Sequence, residues 1–210
     1  MKKIKNIVFD FGGVLLDWNP RYLYRTVFED EKEMEHFLAN ICTNEWNAEQ
    51  DRGRPFSEAV ELLQARHPEY REAIQLYSDQ WEVMLNSELP ESVELLRELK
   101  EKGYHIWGLT NWSAETIPVA YRRYDFFKLF DGIVVSGEEK LIKPDKRLYK
   151  VLLDRYKLDA GESVFIDDSL PNIQAAQELG FRGIVFDNIT NVRKQLSLIL
   201  DITQNQNKYF

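Results

Sequence analysis

Short apolar runs that end in a carboxylate stand near both ends of this chain, and they limit the folds open to it more than any other feature. Ile4, Ile7, Val8 and Phe9 lead straight into Asp10. Val164, Phe165 and Ile166 lead straight into Asp167 and Asp168. Residues 104–109, 132–135 and 183–186 form three more short apolar runs, the first two closed by Thr110 and Ser136 instead of a carboxylate. Runs this brief and this apolar read as strands buried on both faces. Helical stripes alternate with them. Pro90 opens one that carries Val93, Leu96 and Leu99 and stops at Gly103. Residues 114–123 give another, which Pro118 kinks or delays. Residues 145–156, 173–179 (stopped by Gly180) and 192–200 complete the series, and a polar tail from Gln204 is expected to fray. The alternation predicts an α/β fold, a Rossmann-like parallel sheet flanked by helices on both faces. Ligands of such sheets bind at the carboxyl ends of the strands, so the residues that close each run carry the chemistry.

Residues 17–89 have a different texture. Met34, Phe37, Leu38 and Ile41 recur at helical spacing, as do Ala59, Val60, Leu62 and Leu63 up to Pro68. A third stripe runs Tyr70, Ile74, Tyr77, Trp81, Met84. Three or four helices are therefore expected between the first strand and the rest of the sheet. The predicted division is residues 1–16 and 90–210 as the α/β core and 17–89 as an inserted α-helical cap. Trp46 and Trp81 are expected in the core of that insertion.

Bulk properties exclude several classes. The 210 residues carry a formal net charge of −8 with no dense run of Lys or Arg, which argues against nucleic acid as a partner. Cys42 is the single cysteine, so no intrachain disulfide forms; a buried thiol and a cytoplasmic setting are expected. The lysines at the N-terminus precede an apolar run too short for a secretory leader, and no stretch approaches the length of a membrane span. His36, His67 and His105 lack metal-ligand spacing.

Four signals stand at predicted strand ends. Asp10-Phe11-Gly12-Gly13 places a carboxylate before a tight turn whose glycines leave amides and carbonyls open to a ligand. Thr110 and Asn111 can offer a hydroxyl and an amide to a phosphoryl oxygen, although capping a helix is the commoner task of such residues. Lys143 precedes Pro144 at a helix start, where it can neutralise a carboxylate and a phosphoryl group or simply lie in solvent. Asp167 and Asp168 repel one another unless a hard cation sits nearby, and Mg²⁺ prefers oxygen ligands.

Asp10, Thr110, Lys143 and Asp167-Asp168, in that order, resemble the four motifs of the haloacid dehalogenase superfamily. The resemblance spans the chain except its polar tail, and the first motif looks most like sugar-phosphatase-like members. It implies a magnesium-dependent phosphatase acting on a small phosphorylated metabolite, in a monomer or homodimer. Asp10 would be the nucleophile, with Thr110 and Lys143 completing the catalytic set. Asp10, the Gly12 carbonyl, Asp167 and Asp168 would hold Mg²⁺, with Asn172 orienting the acidic loop. Gly12, Gly13, Thr110, Asn111, Trp112 and Lys143 would meet the substrate. Arg52 and Arg54, in the loop that starts at Asp51, are candidates for reaching the site; two solvated arginines are an equal reading. Trp18 and Trp112 are candidates for its walls.

One position departs from the family. Many of its phosphatases carry an acid two residues after the nucleophile, and here that residue is Gly12. The proton donor is unassigned, with Asp17 or an insertion residue as substitutes. Two other readings stay open: a 2-haloacid dehalogenase, which also lacks that acid but has no Asp-Asp pair in its fourth motif, and a phosphate-binding protein without turnover.

Overall fold

The computed structural model describes residues 2–205, with side chains through Leu200. Seven strands lie among them: β1 (Asn6–Phe9), β2 (Leu16–Trp18), β3 (Leu85–Glu88), β4 (His105–Thr110), β5 (Gly132–Val135), β6 (Ser163–Asp167) and β7 (Arg182–Val185). Eleven α-helices accompany them: α1 (Arg21–Tyr24), α2 (Glu31–Asn40), α3 (Asn44–Asp51), α4 (Phe56–Arg66), α5 (Arg71–Asp79), α6 (Pro90–Glu101), α7 (Ile117–Arg123), α8 (Ser136–Glu139), α9 (Lys146–Tyr156), α10 (Leu170–Glu178) and α11 (Ile189–Asn205). The frayed tail expected from Gln204 falls mostly outside the described residues; Gln204 itself continues α11. No helix among the described residues is long and apolar enough to cross a membrane.

Five strands form one parallel sheet in the order β5-β4-β1-β6-β7. β1 is central because all four of its residues are apolar enough, or paired well enough, to be buried. Its side chains alternate between two cores, as strand geometry requires. Ile7 and Phe9 join a core that runs on into the helical insertion, while Val8 joins Trp107, Leu109 and Phe165 under α9 and α10. Asn6, buried at the start of β1, accepts a hydrogen bond from Trp107 Nε1 (3.0 Å) and donates one to Ser163 Oγ (3.3 Å).

Register brings the motif residues together. Phe9 stands beside Gly108 on one side and Ile166 on the other. The next residue of β1's path, Asp10, donates its amide to the Ile166 carbonyl (2.9 Å), so Asp10 and Asp167 leave adjacent strands at the same height. β4 ends on Thr110 at that edge too.

The insertion departs from the sequence reading in four places. Leu16–Trp18 and Leu85–Glu88 are not helical but pair antiparallel as a ribbon at its base. Strands of three or four residues carry no usable periodicity, and their partners lie about seventy residues apart in the chain. The third stripe is not one helix: single 3-10 turns at Pro68–Tyr70 and Trp81–Met84 flank α5. Its residues Ile74, Tyr77, Trp81 and Met84 are nonetheless buried. Leu62 is 46% exposed, because the buried face of α4 is Phe56, Ala59, Val60 and Leu63 and Leu62 lies about 100° round the helix from Leu63. Finally, α3 was not expected. Its start is marked by Thr43, whose side chain accepts from the Trp46 amide as an N-cap does.

Candidate active site

Lys143 lies at the centre of the strand-end cluster. Its Nζ is 2.9 Å from Asp10 Oδ1 and 2.7 Å from Asp167 Oδ2, and it donates to the Leu109 carbonyl at 3.0 Å. The side chains of Lys143 and Asp167 are fully shielded from solvent, and that of Asp10 is 11% exposed. A charge in such a place persists only with partners. Burial opposes the charge on Lys143, yet Asp10 and Asp167 more than offset it and its pKa stands above the ordinary lysine range.

Each partner is itself held. Asn111 clamps the Lys143 peptide reciprocally: its Oδ1 accepts from the Lys143 amide (2.8 Å), and its Nδ2 donates to the Lys143 carbonyl (3.1 Å). Asn172 Nδ2 donates to both Asp167 oxygens, at 2.9 and 3.2 Å, and the Ser169 amide donates to Oδ1 at 2.8 Å. Asp10 Oδ1 also accepts from the Phe11 amide (2.7 Å).

Asp10, Asp167 and Asp168 each offer an oxygen, and these atoms lie within 4.8 Å of one another. Three carboxylates so close are mutually repulsive, and one lysine does not balance them. Burial pushes the Asp10 carboxyl up to about 7 against the pull of Lys143, with Asp167 adding to the rise. Burial and then Asp167 push Asp168 up as well. An all-oxygen cluster with a surplus of negative charge fits a hard divalent cation. Gly13 supports the same fit: its φ is +71°, and a Cβ there would lie 2.5 Å from Asp168 Oδ2. The chain keeps that space for the carboxylate by carrying no side chain. Beside the cluster, Thr110 Oγ1 is buried without a hydrogen-bond partner, an arrangement that costs free energy unless a ligand oxygen supplies one.

A cleft of about 290 Å³ opens over these groups. Asp10, Gly12, Gly13 and Asp168 line it from the strand ends. Asn111 and Trp112 form its core wall; Trp18 enters from the ribbon, and Asn47, Asp51 and Trp81 from the insertion. Thr110, Lys143 and Asp167 lie behind this lining rather than on it, all three at 2% exposure or less. The Trp81 and Trp112 rings touch at a tilt of 51° with centroids 5.6 Å apart. Trp81, expected in the insertion core, is thus both buried and a wall of the cleft. Trp46 packs edge-on against Tyr77.

Arg52 and Arg54 do not line the cleft. Arg54 donates to Gln50 Oε1 (2.7 Å) and to the Trp46 carbonyl (3.1 Å), and Arg52 faces Glu49. The loop does reach the site, but with the residue that begins it, Asp51. The sequence signal for this was the N-cap at Thr43: a helix begun there places Asn47 and Asp51 one turn apart on one face. Asp17 is also turned away, with Oδ2 taken by Tyr22 Oη (2.6 Å) and Asn86 Nδ2 (3.0 Å). Cys42 is buried, and burial pushes its thiol far above the ordinary range.

The family model for haloacid dehalogenase-like hydrolases matches residues 4–180. A sesquiterpene phosphatase of Aspergillus oryzae is 30% identical over 86% of this chain and 88% of its own length. A phosphorylated carbohydrates phosphatase of Thermotoga maritima is 26% identical over 85% of this chain and 82% of its own. An (S)-2-haloacid dehalogenase of Burkholderia cepacia is 26% identical over a shorter stretch, 47% of this chain and 42% of its own. Among solved structures, a HAD family enzyme of Bacteroides thetaiotaomicron, in its magnesium complex, superposes with a TM-score of 0.68 at 23% identity, covering 88% of this chain and 93% of that one.

Proposed function

The chain belongs to the haloacid dehalogenase-like hydrolases, and from that premise we propose that it is a magnesium-dependent phosphatase of small phosphate monoesters, with Asp10 as nucleophile and the helical insertion as a cap over the cleft. The observation that carries this reading is the pair Asp10 and Asp167, buried around Lys143, with the exposed carboxylate of Asp168 beside them within 4.8 Å. A carboxylate approaching a phosphate dianion meets repulsion of roughly 5 kcal/mol per unit charge at about 3.5 Å and an effective dielectric near 20. Asp10, Asp167, Asp168 and the Gly12 carbonyl would hold Mg²⁺, which would supply the positive charge that offsets it.

The chain's own groups do the rest. The Phe11 amide and Lys143 both hold Asp10 Oδ1 and so orient the carboxylate. Lys143 holds a fixed positive charge under the reacting group, and the free Thr110 hydroxyl donates to a phosphoryl oxygen, both arranged before the substrate arrives. Attack forms an aspartyl-phosphate on Asp10 and releases the alcohol; water then cleaves the acyl phosphate. The tryptophans exclude bulk water and contact the organic part of the ester.

Three features favour this over displacement of halide from carbon. The third acidic group, Asp168, stands in the cleft where a metal-free attack on carbon has no use for it. Gly13 is shaped around that carboxylate. Two relatives named as phosphatases match over 88% and 82% of their own length, against 42% for the haloacid dehalogenase of Burkholderia cepacia. The test is phosphate release from p-nitrophenyl phosphate against chloride release from chloroacetate, each with Mg²⁺ and with EDTA. Phosphate release that needs Mg²⁺ and vanishes in Asp10→Asn upholds the reading. Chloride release in EDTA, or phosphate release indifferent to EDTA, overturns it. A panel of sugar, prenyl and simple alkyl phosphates then identifies the alcohol.

A further inference from the structure

The cleft has a carboxyl group where the family's usual position for an acid has none. Gly12 leaves the strand-end side of the cleft without a proton donor, although no heavy atom lies within 4 Å of where its Cβ would be. On the opposite side, Asp51 closes α3 and lines the same cavity as Asp10. It is the insertion's only carboxylate in that lining, and it is fixed on several sides. Ser136 Oγ donates to its backbone carbonyl at 2.6 Å, pinning the end of α3 to the end of β5. Asn47 Nδ2 donates to Oδ2 at 3.1 Å, and Asn47 Oδ1 in turn accepts from Tyr77 Oη at 3.0 Å.

Building on the phosphatase reading, we propose that Asp51 of the insertion is the general acid–base of this site, standing in for the acid absent at Gly12. In the first step the Asp51 carboxyl gives its proton to the ester oxygen as the bond from that oxygen to phosphorus breaks and the bond from Asp10 to phosphorus forms. In the second step the Asp51 carboxylate takes a proton from water as the water oxygen bonds to phosphorus and the Asp10–phosphorus bond breaks. The alcohol and inorganic phosphate leave, and Asp51 ends protonated as it began. Asp17 has no part in this, being engaged by Tyr22 and Asn86 outside the cleft.

The surroundings suit both roles. Burial pushes the Asp51 carboxyl up to about 7, against the pull of the Ser113 amide and of Lys143. The other groups facing it are Tyr77 behind Asn47, whose phenol burial holds well above its ordinary range, and Asp10 and Asp168 across the cleft. An acid that titrates near the working pH can both give and take a proton. The placement also makes proton transfer depend on the insertion lying closed over the strand ends, since Asp51 reaches the cleft from that side.

The experiment compares an ester with a poor leaving group, a simple alkyl phosphate, with p-nitrophenyl phosphate, which needs little protonation. Asp51→Asn is expected to lower kcat/KM for the alkyl ester by about 10²–10⁴-fold while changing the aryl ester by less than about tenfold. In the wild type, kcat/KM for the alkyl ester falls as pH rises through about 7, and that limb is weak or absent for the aryl ester. Adding Gly12→Asp to Asp51→Asn returns part of the alkyl activity. Equal losses for both esters, or no loss, overturn the proposal. The wild-type pH profiles decide it even if the variant does not fold: identical alkaline limbs for the two esters also overturn it. Failure of the phosphatase reading shows differently, as no phosphate release from either ester by the wild type.

Discussion

Replacing Lys143 by Met tests whether the buried cluster is organised as the distances indicate. The substitution keeps most of the apolar stem but removes the charge 2.9 Å from Asp10 and 2.7 Å from Asp167. Each attraction is roughly 6 kcal/mol at an effective dielectric near 20, and desolvation of the three groups cancels most of the sum. Breaking such a network costs about 3–5 kcal/mol, because it leaves buried charge uncompensated. At about 2–4 °C per kcal/mol for a chain of this size, the midpoint should fall by roughly 6–20 °C. The sign with pH follows from the carboxylates. Burial already holds Asp10 near 7 with the lysine present, and removing the lysine raises it further. A folded-state pKa above the unfolded value near 3.9 means no deficit at low pH, where the group is protonated in both states. The deficit then grows as pH rises, through and beyond 7. Mg²⁺ should restore part of the loss by replacing the missing positive charge. Thermal melts of wild type and variant at about pH 5 and about pH 8, with Mg²⁺ and with EDTA, check each part. A deficit below about 1 kcal/mol, or one that does not change with pH, would refute the network; no recovery in Mg²⁺ would refute the cation site.

Gly13→Ala should destabilise the fold by about 1–3 kcal/mol from its φ of +71°. It should also weaken Mg²⁺ binding, because the new Cβ displaces Asp168; titration calorimetry reads the second effect. Apparent Mg²⁺ affinity should fall on acidification below about pH 7, as Asp10 and Asp168, both pushed up by burial, hold protons the cation must displace. A Mg²⁺-induced thermal shift measured across pH shows this, and a flat profile would contradict it. Asn172→Ala should cut Mg²⁺-supported activity by about 10–100-fold, since Asp167 loses the donor that holds both its oxygens.

The parallel sheet was legible because its strands are buried on both faces and so leave near-continuous apolar runs, as in Val164-Phe165-Ile166. The strand-end residues were legible for a related reason: in a parallel sheet they share one edge, and the pairing of Phe9 with Gly108 and Ile166 carries Asp10, Thr110 and Asp167 to it. The insertion was harder. Its ribbon depends on pairing between Leu16–Trp18 and Leu85–Glu88, contacts that no local pattern records. Its contribution to the cleft is not Arg52 or Arg54, charged groups that suit an anion but read equally well as solvated residues. Intrahelical and loop hydrogen bonds to Gln50 and Trp46 instead hold Arg54 away. Asp51 gave no signal as a residue type, since a carboxylate facing a phosphate site makes sense only once Gly12 and the geometry of α3 are seen together. Trp81 was read as core from its helical spacing, and it is buried; periodicity cannot tell a core wall from the wall of a cleft that lies against the core.

Asp10 is expected to carry the phosphoryl group during turnover. Rapid acid quench of the enzyme mixed with p-nitrophenyl phosphate and Mg²⁺, followed by mass spectrometry of the peptide containing Asp10, tests it directly. One added phosphoryl group is expected on that peptide at early times, absent in EDTA and absent in Asp10→Asn. Steady phosphate release with the Asp10 peptide unmodified at every quench time, and with undiminished turnover by Asp10→Asn, would contradict it.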